Sequence, residues 1–239
     1  MPARLILLPG WGFGPATLQP LYESLGELAP WLEVTVMPLP GLDEPDAWLD
    51  ALDLELPRGA WLAGWSLGGM LAAQLAFRRG RDCPGLITLA SNPCFRVREN
   101  WPCAMPAEVF DTFCEAFFMD ADETLKRFSL LCSRGGFDPR TLARQLQVTR
   151  SQAPPEVLAA GLSLLASLDN RGALRGYRGR QLHLFAGQDA LVPSEAAGRL
   201  AQLLPEAGVK TVEQASHGLP LERPEEVAQL MIAGIGGAR

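Results

Sequence analysis

The chain alternates short, nearly unbroken apolar runs with longer stretches whose apolar residues recur every three or four positions. "RLILLPG" (4–10), "LEVTVMPLP" (32–40), "AWLAG" (60–64) and "GLITLAS" (85–91) are runs of the first kind. Bounded by Pro, Gly or small residues, they predict strands buried on both faces. Residues 16–28, 45–53 and 67–79 are of the second kind and predict amphipathic helices. Such alternation predicts an α/β fold, a mostly parallel sheet flanked by helices. Near residue 94 the pattern changes, and until about 171 only helical periodicities occur, as in "AEVFDTFCEAFF" and "PEVLAAGLSLLASL". The first rhythm then returns: a strand at "RQLHLFAG" (180–187), a helix over 194–204, a strand at "VKTVEQ" (209–214), and a last helix in "RPEEVAQLMIAGI" with Pro224 in its first turn. The expected organisation is one α/β core, residues 1–93 and 172–239, with an inserted all-helical lid over 94–171.

Bulk properties narrow the function classes. The 239 residues suffice for one large domain with a real core. A net charge of −6 disfavours a nucleic-acid partner, because phosphate attraction needs a basic face. Arg4 is followed only by "LILL", too short for the apolar region of a secretory signal, and the uncharged tail "VAQLMIAGIGGA" (227–238) is too short to span a bilayer. Cys83, Cys94, Cys103, Cys114 and Cys132 are odd in number and form no C-x-x-C pair, so they read as reduced thiols packed as small apolar groups. The expectation is a cytoplasmic monomer with no membrane partner. Two histidines, no H-E-x-x-H and no cysteine cluster give no expected metal or cofactor.

The candidate chemistry starts at Gly64-Trp65-Ser66-Leu67-Gly68, which falls where a predicted strand ends and a helix begins. G-x-S-x-G in that setting is the nucleophile elbow: a strained turn lifts the serine hydroxyl above the sheet, and the glycines let strand and helix pass closely. A serine needs a base. His217, in the loop "ASHGLPLERP", follows the last strand, whereas His183 lies inside the strand "QLHLF", so His217 is the preferred base. Asp189 in "FAGQDALVPS" also follows a strand and is preferred over Asp169 in "SLDNRG" as the carboxylate that orients the imidazole. The order Ser, Asp, His is that of the α/β-hydrolases, and all three positions follow strand C-termini, where open α/β sheets place their sites. The oxyanion donors expected are the backbone N–H groups of Leu67, directly after the serine, and of Trp11 in the loop "LLPGWGFG" (7–14).

"LLPGWGFG", "LAGWSLGGMLA", "LASNPCF", "KRFSLLC" and "GQDALVP" together resemble the bacterial pimeloyl-[acyl-carrier protein] methyl ester esterases of biotin synthesis, along nearly the whole chain. The resemblance implies an α/β-hydrolase fold and a serine carboxylesterase with Ser66, Asp189 and His217 as its triad. It also implies that Trp11 and Leu67 contact the acyl carbonyl, and that Phe128, Ser129, Leu130, Leu131 and Cys132 line an acyl pocket. The implied partner is an acyl carrier protein, docking on Arg127, Arg140 and Arg144. Charge points the same way: residues 124–153 hold six basic side chains and one acidic, Asp138, a patch that would steer an acidic partner. The rival readings are a general short-chain esterase, a C–C bond hydrolase, and a non-catalytic binding module on the same fold.

Overall fold

The computed structural model describes residues 3–236. Six strands, β1 (Ala3–Leu8), β2 (Leu32–Val36), β3 (Trp61–Trp65), β4 (Gly85–Leu89), β5 (Arg180–Ala186) and β6 (Gly208–Val212), form one sheet in the order β2-β1-β3-β4-β5-β6. Every neighbouring pair is parallel. Burial follows position in the sheet. β3 and β4 are buried at every residue, whereas the edge strands β2 and β6 alternate exposed with buried or half-buried positions. Central strands face helices on both sides and edge strands do not, so the run at 32–40, expected to be buried on both faces, is covered in β2 on one face only.

The strand order reverses once. From β1 the chain moves outward to β2, then returns to β3 on the other side of β1. The crevice at this reversal lies above the C-terminal ends of β1 and β3, where doubly wound sheets bind ligands. Helix α1 (Gln19–Leu28) packs on the C-terminal helix α11 (Pro224–Gly236), and α3 (Leu67–Arg79) packs on α2 (Trp48–Glu55) and α8 (Arg171–Gly176). The buried Arg79 closes α3 against α2, donating to the Asp53 carboxylate at 2.7 Å and to the carbonyls of Asp53, Leu56 and Pro57. A guanidinium with all these acceptors satisfies the C-terminus of α2 and its own charge together.

Between β4 and β5 lie α4 (Ala107–Met119), α5 (Ala121–Ser133), α6 (Pro139–Val148), α7 (Pro155–Ser167) and α8. Asp120 and Asp138 start α5 and α6 by accepting the backbone N–H three residues on, at 3.0 and 3.1 Å. α8 packs against α3, and the chain re-enters the sheet at β5. The five cysteines are unpaired, and four are buried. Burial raises the Cys94 thiol to about 12, with the nearby Asp169 charge adding to the effect. Among the described residues no helix is long and apolar enough to cross a membrane.

Candidate active site

Ser66 joins β3 to α3 with φ 54° and ψ −120°, a left-handed conformation that costs a non-glycine residue of order 1–3 kcal/mol. The surroundings enforce it. Its N–H donates to the Leu89 carbonyl at 2.9 Å, and its carbonyl accepts from Gly69 N–H, Met70 N–H and the Ser91 hydroxyl. The two motif glycines are required for close approach: a Cβ on Gly64 would overlap the backbone of Gly68, and one on Gly68 would overlap the carbonyl oxygens of Leu8 and Pro9. Strand, helix and the loop after β1 thus meet at van der Waals distance beneath the serine.

His217 Nε2 lies 3.0 Å from Ser66 Oγ, and His217 Nδ1 lies 2.8 Å from Asp189 Oδ2. Asp189 Oδ1 is occupied by the N–H groups of Leu191 (2.8 Å) and Val192 (3.0 Å). A carboxylate only accepts, so the proton of the Asp189–His217 bond sits on Nδ1 and leaves the Nε2 lone pair facing the serine hydroxyl. Both the imidazole and the carboxylate are almost fully buried. These three side chains, 151 and 28 residues apart along the chain, form a continuous relay.

The other candidates lie elsewhere. His183 Nδ1 contacts Thr88 Oγ1 at 2.7 Å inside the sheet, and burial lowers its pKa to about 4. Asp169 is held by a bidentate contact from Arg171, which lowers its pKa to about 2. Among the described residues no group of three or more His, Cys, Asp or Glu is placed to hold a metal ion.

The loop after β1 runs beside the serine, since a Cβ on Gly10 would stand 3.3 Å from Ser66 Cβ. Gly12 takes the left-handed conformation, with φ 77°, in the turn closed by Phe13 N–H on Gly10 carbonyl. The segment after α6 grips this loop: Gly12 carbonyl accepts from Ser151 N–H at 2.9 Å, and Gly14 N–H donates to the Thr149 carbonyl at 3.0 Å. The N–H groups of Trp11 and Leu67 make no backbone hydrogen bond among the described residues. Leu67 is the first residue of α3, where N–H groups lack a helical acceptor and the helix favours negative charge. The Trp11 side chain has a separate task. Its indole donates to the Leu158 carbonyl at 2.7 Å and packs edge-on against Phe113, Phe117 and Phe128.

A cavity of about 50 Å³ lies there, lined entirely by apolar groups including Trp11, Phe110, Phe113, Phe128, Leu131 and Leu191. Of the five residues expected in an acyl pocket, Phe128 and Leu131 reach it. The other three do not line it. Ser129 turns its hydroxyl back to the Leu125 carbonyl, Leu130 is 55 % exposed on the outer surface, and Cys132 is buried near Asp189. The reason is helical period: consecutive residues of α5 point in successive directions about 100° apart, so a five-residue run cannot line one wall.

The basic surface also differs from expectation. Arg127 pairs with Glu123, Lys126 with Asp122, and Arg150 with Asp122. These acids precede residue 124 in the first turn of α5, so the charge excess of the following segment is partly neutralised. Arg140 and Arg144 are exposed on α6 and, with Arg134, carry no ion pair among the described residues.

Some contributors to the site carried no individual sequence signal. Trp65 donates its indole N–H to the His217 carbonyl at 2.7 Å and packs, with its ring tilted, against both His217 and Phe13. It is the unspecified second position of the elbow motif. Ser91, which donates to the Ser66 carbonyl, was visible only as part of "LASNPCF".

Residues 5–230 match the model of the alpha/beta hydrolase family. The chain is 36% identical over 242 residues to a pimeloyl-[acyl-carrier protein] methyl ester esterase of Aromatoleum aromaticum, covering 95% of this chain and 96% of that one. It is also 36% identical over 231 residues to the biotin biosynthesis bifunctional protein BioHC of Cellvibrio japonicus, covering 93% of this chain but 45% of that one. The chain thus spans about half the length of that bifunctional relative. Among solved structures, a bromoperoxidase from Bacillus anthracis superposes with a TM-score of 0.84 at 17% identity, over 99% of this chain and 92% of that one, which is a likeness of fold. With the fold and the family match agreeing over almost its full length, the chain belongs to the alpha/beta hydrolase family and, within it, to the pimeloyl-[acyl-carrier protein] methyl ester esterases.

Proposed function

We propose that this protein is a serine carboxylesterase that hydrolyses the methyl ester of a pimeloyl group carried on acyl carrier protein, freeing the terminal carboxylate for biotin synthesis. The observation that carries the chemistry is the relay of 3.0 and 2.8 Å from Ser66 through His217 to Asp189. Ser66 Oγ attacks the ester carbonyl as its proton passes to His217 Nε2, and Asp189 stabilises the imidazolium. The oxyanion faces the N–H groups of Leu67 and Trp11, which have no competing backbone acceptor. Collapse expels methanol, protonated by His217. Water then attacks the acyl-enzyme with His217 as base, and the free acid leaves.

Substrate identity rests on the relatives' activity and on two features of the helices at 94–171, which we read as a lid. One is the wholly apolar wall made by Phe113, Phe128 and Leu131, suited to a polymethylene chain. Its cavity is far below the roughly 300–1,000 Å³ of ordinary ligand sites, so these helices part to admit the chain. The other is the exposed pair Arg140 and Arg144 with Arg127 nearby, suited to an acidic carrier. The test is methanol release from carrier-linked pimeloyl methyl ester, compared with a p-nitrophenyl butyrate control. Turnover of the carrier-linked ester that disappears in Ser66→Ala supports the reading. Turnover of the small ester alone reduces the protein to a general esterase.

A further inference from the structure

Glu222 sits in α10 (Leu219–Glu222), five residues after His217. Its carboxylate gathers three donors from two segments, one of them 85 residues away. Oε2 accepts the backbone N–H of Ser216 at 2.8 Å and its hydroxyl at 2.7 Å, while Oε1 accepts the N–H of Phe137 at 2.7 Å. Ser216 immediately precedes the histidine and is fully buried. Phe137 belongs to the turn between α5 and α6. Packing around the carboxylate is equally close: a Cβ on Gly136 would stand 2.7 Å from Glu222 Oε1, and one on Gly135 would overlap the carbonyl of Gln188, beside Asp189. Gly218 N–H donates to the Cys132 carbonyl at the end of α5, and Leu142 of α6 rests on Gly218. The turn between α5 and α6 therefore rides on the loops of both the imidazole and the carboxylate.

We propose that Glu222 is a positioning residue that clamps the His217 loop to this turn, so that displacement of α5 and α6 is felt as displacement of the imidazole. The proposal rests on His217 being the base at Ser66. Three donors facing one group require acceptors on both branches, which a carboxylate supplies and an amide does not. Glutamine keeps its oxygen where two donors meet, on Ser216, and turns its NH₂ toward Phe137. It releases the turn and keeps the loop, whereas alanine releases both.

The test uses this 239-residue chain, which contains two histidines. His183, buried at Thr88, serves as an internal control in imidazole NMR. Glu222→Ala is expected to shift or broaden the His217 ring signals and leave those of His183 in place. It should also slow fluorophosphonate labelling of Ser66 and lower kcat by about tenfold or more, with KM for a small ester unchanged. Glu222→Gln should show a smaller loss, matched by Phe137→Pro, which removes the same N–H from a residue 87 % exposed. Wild-type His217 signals and labelling rate in Glu222→Ala would overturn the clamp. If that variant loses its fold, seen as movement of both histidines, the Gln and Pro variants decide: equal partial losses support the clamp, and wild-type behaviour of Glu222→Gln overturns it. Absence of labelling at Ser66 in the unmodified protein would count against the hydrolase reading, while the NMR comparison would still judge the clamp.

Discussion

Replacing Asp189 by Asn keeps the shape of a buried side chain and reverses the hydrogen-bonding sense of one of its two branches. Oδ1 already accepts two backbone N–H groups, from Leu191 and Val192. An asparagine oxygen must therefore occupy that position, because an NH₂ there would face two donors. The amide nitrogen then falls 2.8 Å from His217 Nδ1, in the place of Oδ2. Facing a donor, Nδ1 must become an acceptor, so the ring proton moves to Nε2 and points at Ser66. The base is then in the wrong tautomer by construction. In serine hydrolases of this design the same reversal costs about 10⁴ in kcat, or about 5 kcal/mol of transition-state stabilisation. The backbone bonds to the side-chain oxygen survive, so thermal stability should change little. The assay is kcat/KM on p-nitrophenyl butyrate together with a thermal melt. A folded Asp189→Asn protein retaining activity within tenfold of the parent would refute the assignment of Asp189 and the tautomer argument with it.

Other outcomes follow from the same contacts. Gly68→Ala forces a methyl group into the Leu8 and Pro9 carbonyls; thermal melts should show a loss of about 1–3 kcal/mol, and activity should fall because the loop bearing Trp11 is pushed off Leu67. His183 takes up its proton near 6.5 when unfolded but only at about 4 when folded, because burial disfavours the charged ring. Its contribution is complete above about pH 6.5 and declines as pH falls toward 4, by about 3 kcal/mol in all. Urea unfolding at pH 7.5 and 4.5 should show this decline, and His183→Gln should flatten it. Reversing Arg140 and Arg144 to Glu should lower kcat/KM for a carrier-linked ester in low salt and leave p-nitrophenyl butyrate turnover unchanged; a kcat/KM for the carrier-linked ester equal to the parent's would remove these arginines from any docking surface.

The fold was legible because its physical causes are local. Continuous burial of β3 and β4 leaves unbroken apolar runs, and the elbow glycines stand where backbones touch. Ser66, Asp189 and His217 could be nominated because each follows a strand, a position that periodicity reveals. Side-chain direction within the helices between β4 and β5 was not legible. Phe128 and Leu130 are two residues apart on α5, yet one faces the cavity and the other solvent, and only the packing of α5 against its neighbours fixes that rotation. Long-range polar partners were equally hidden. Glu222 meets Phe137 across 85 residues and Trp65 meets the His217 carbonyl across 152, so no spacing along the chain encodes either contact. A charge count over a window hides pairing with its flanks as well, since Asp122 and Glu123, just before the window, pair with Lys126, Arg127 and Arg150 and offset two of its positive charges.

The relay directs the free lone pair of His217 Nε2 at the Ser66 hydroxyl. Intact-protein and peptide mass spectrometry after exposure to a fluorophosphonate reads that property directly. The account predicts one covalent adduct, on Ser66, abolished by Ser66→Ala and strongly slowed by His217→Ala. A protein that stays unlabelled while folded, or that is labelled at another residue, would contradict it.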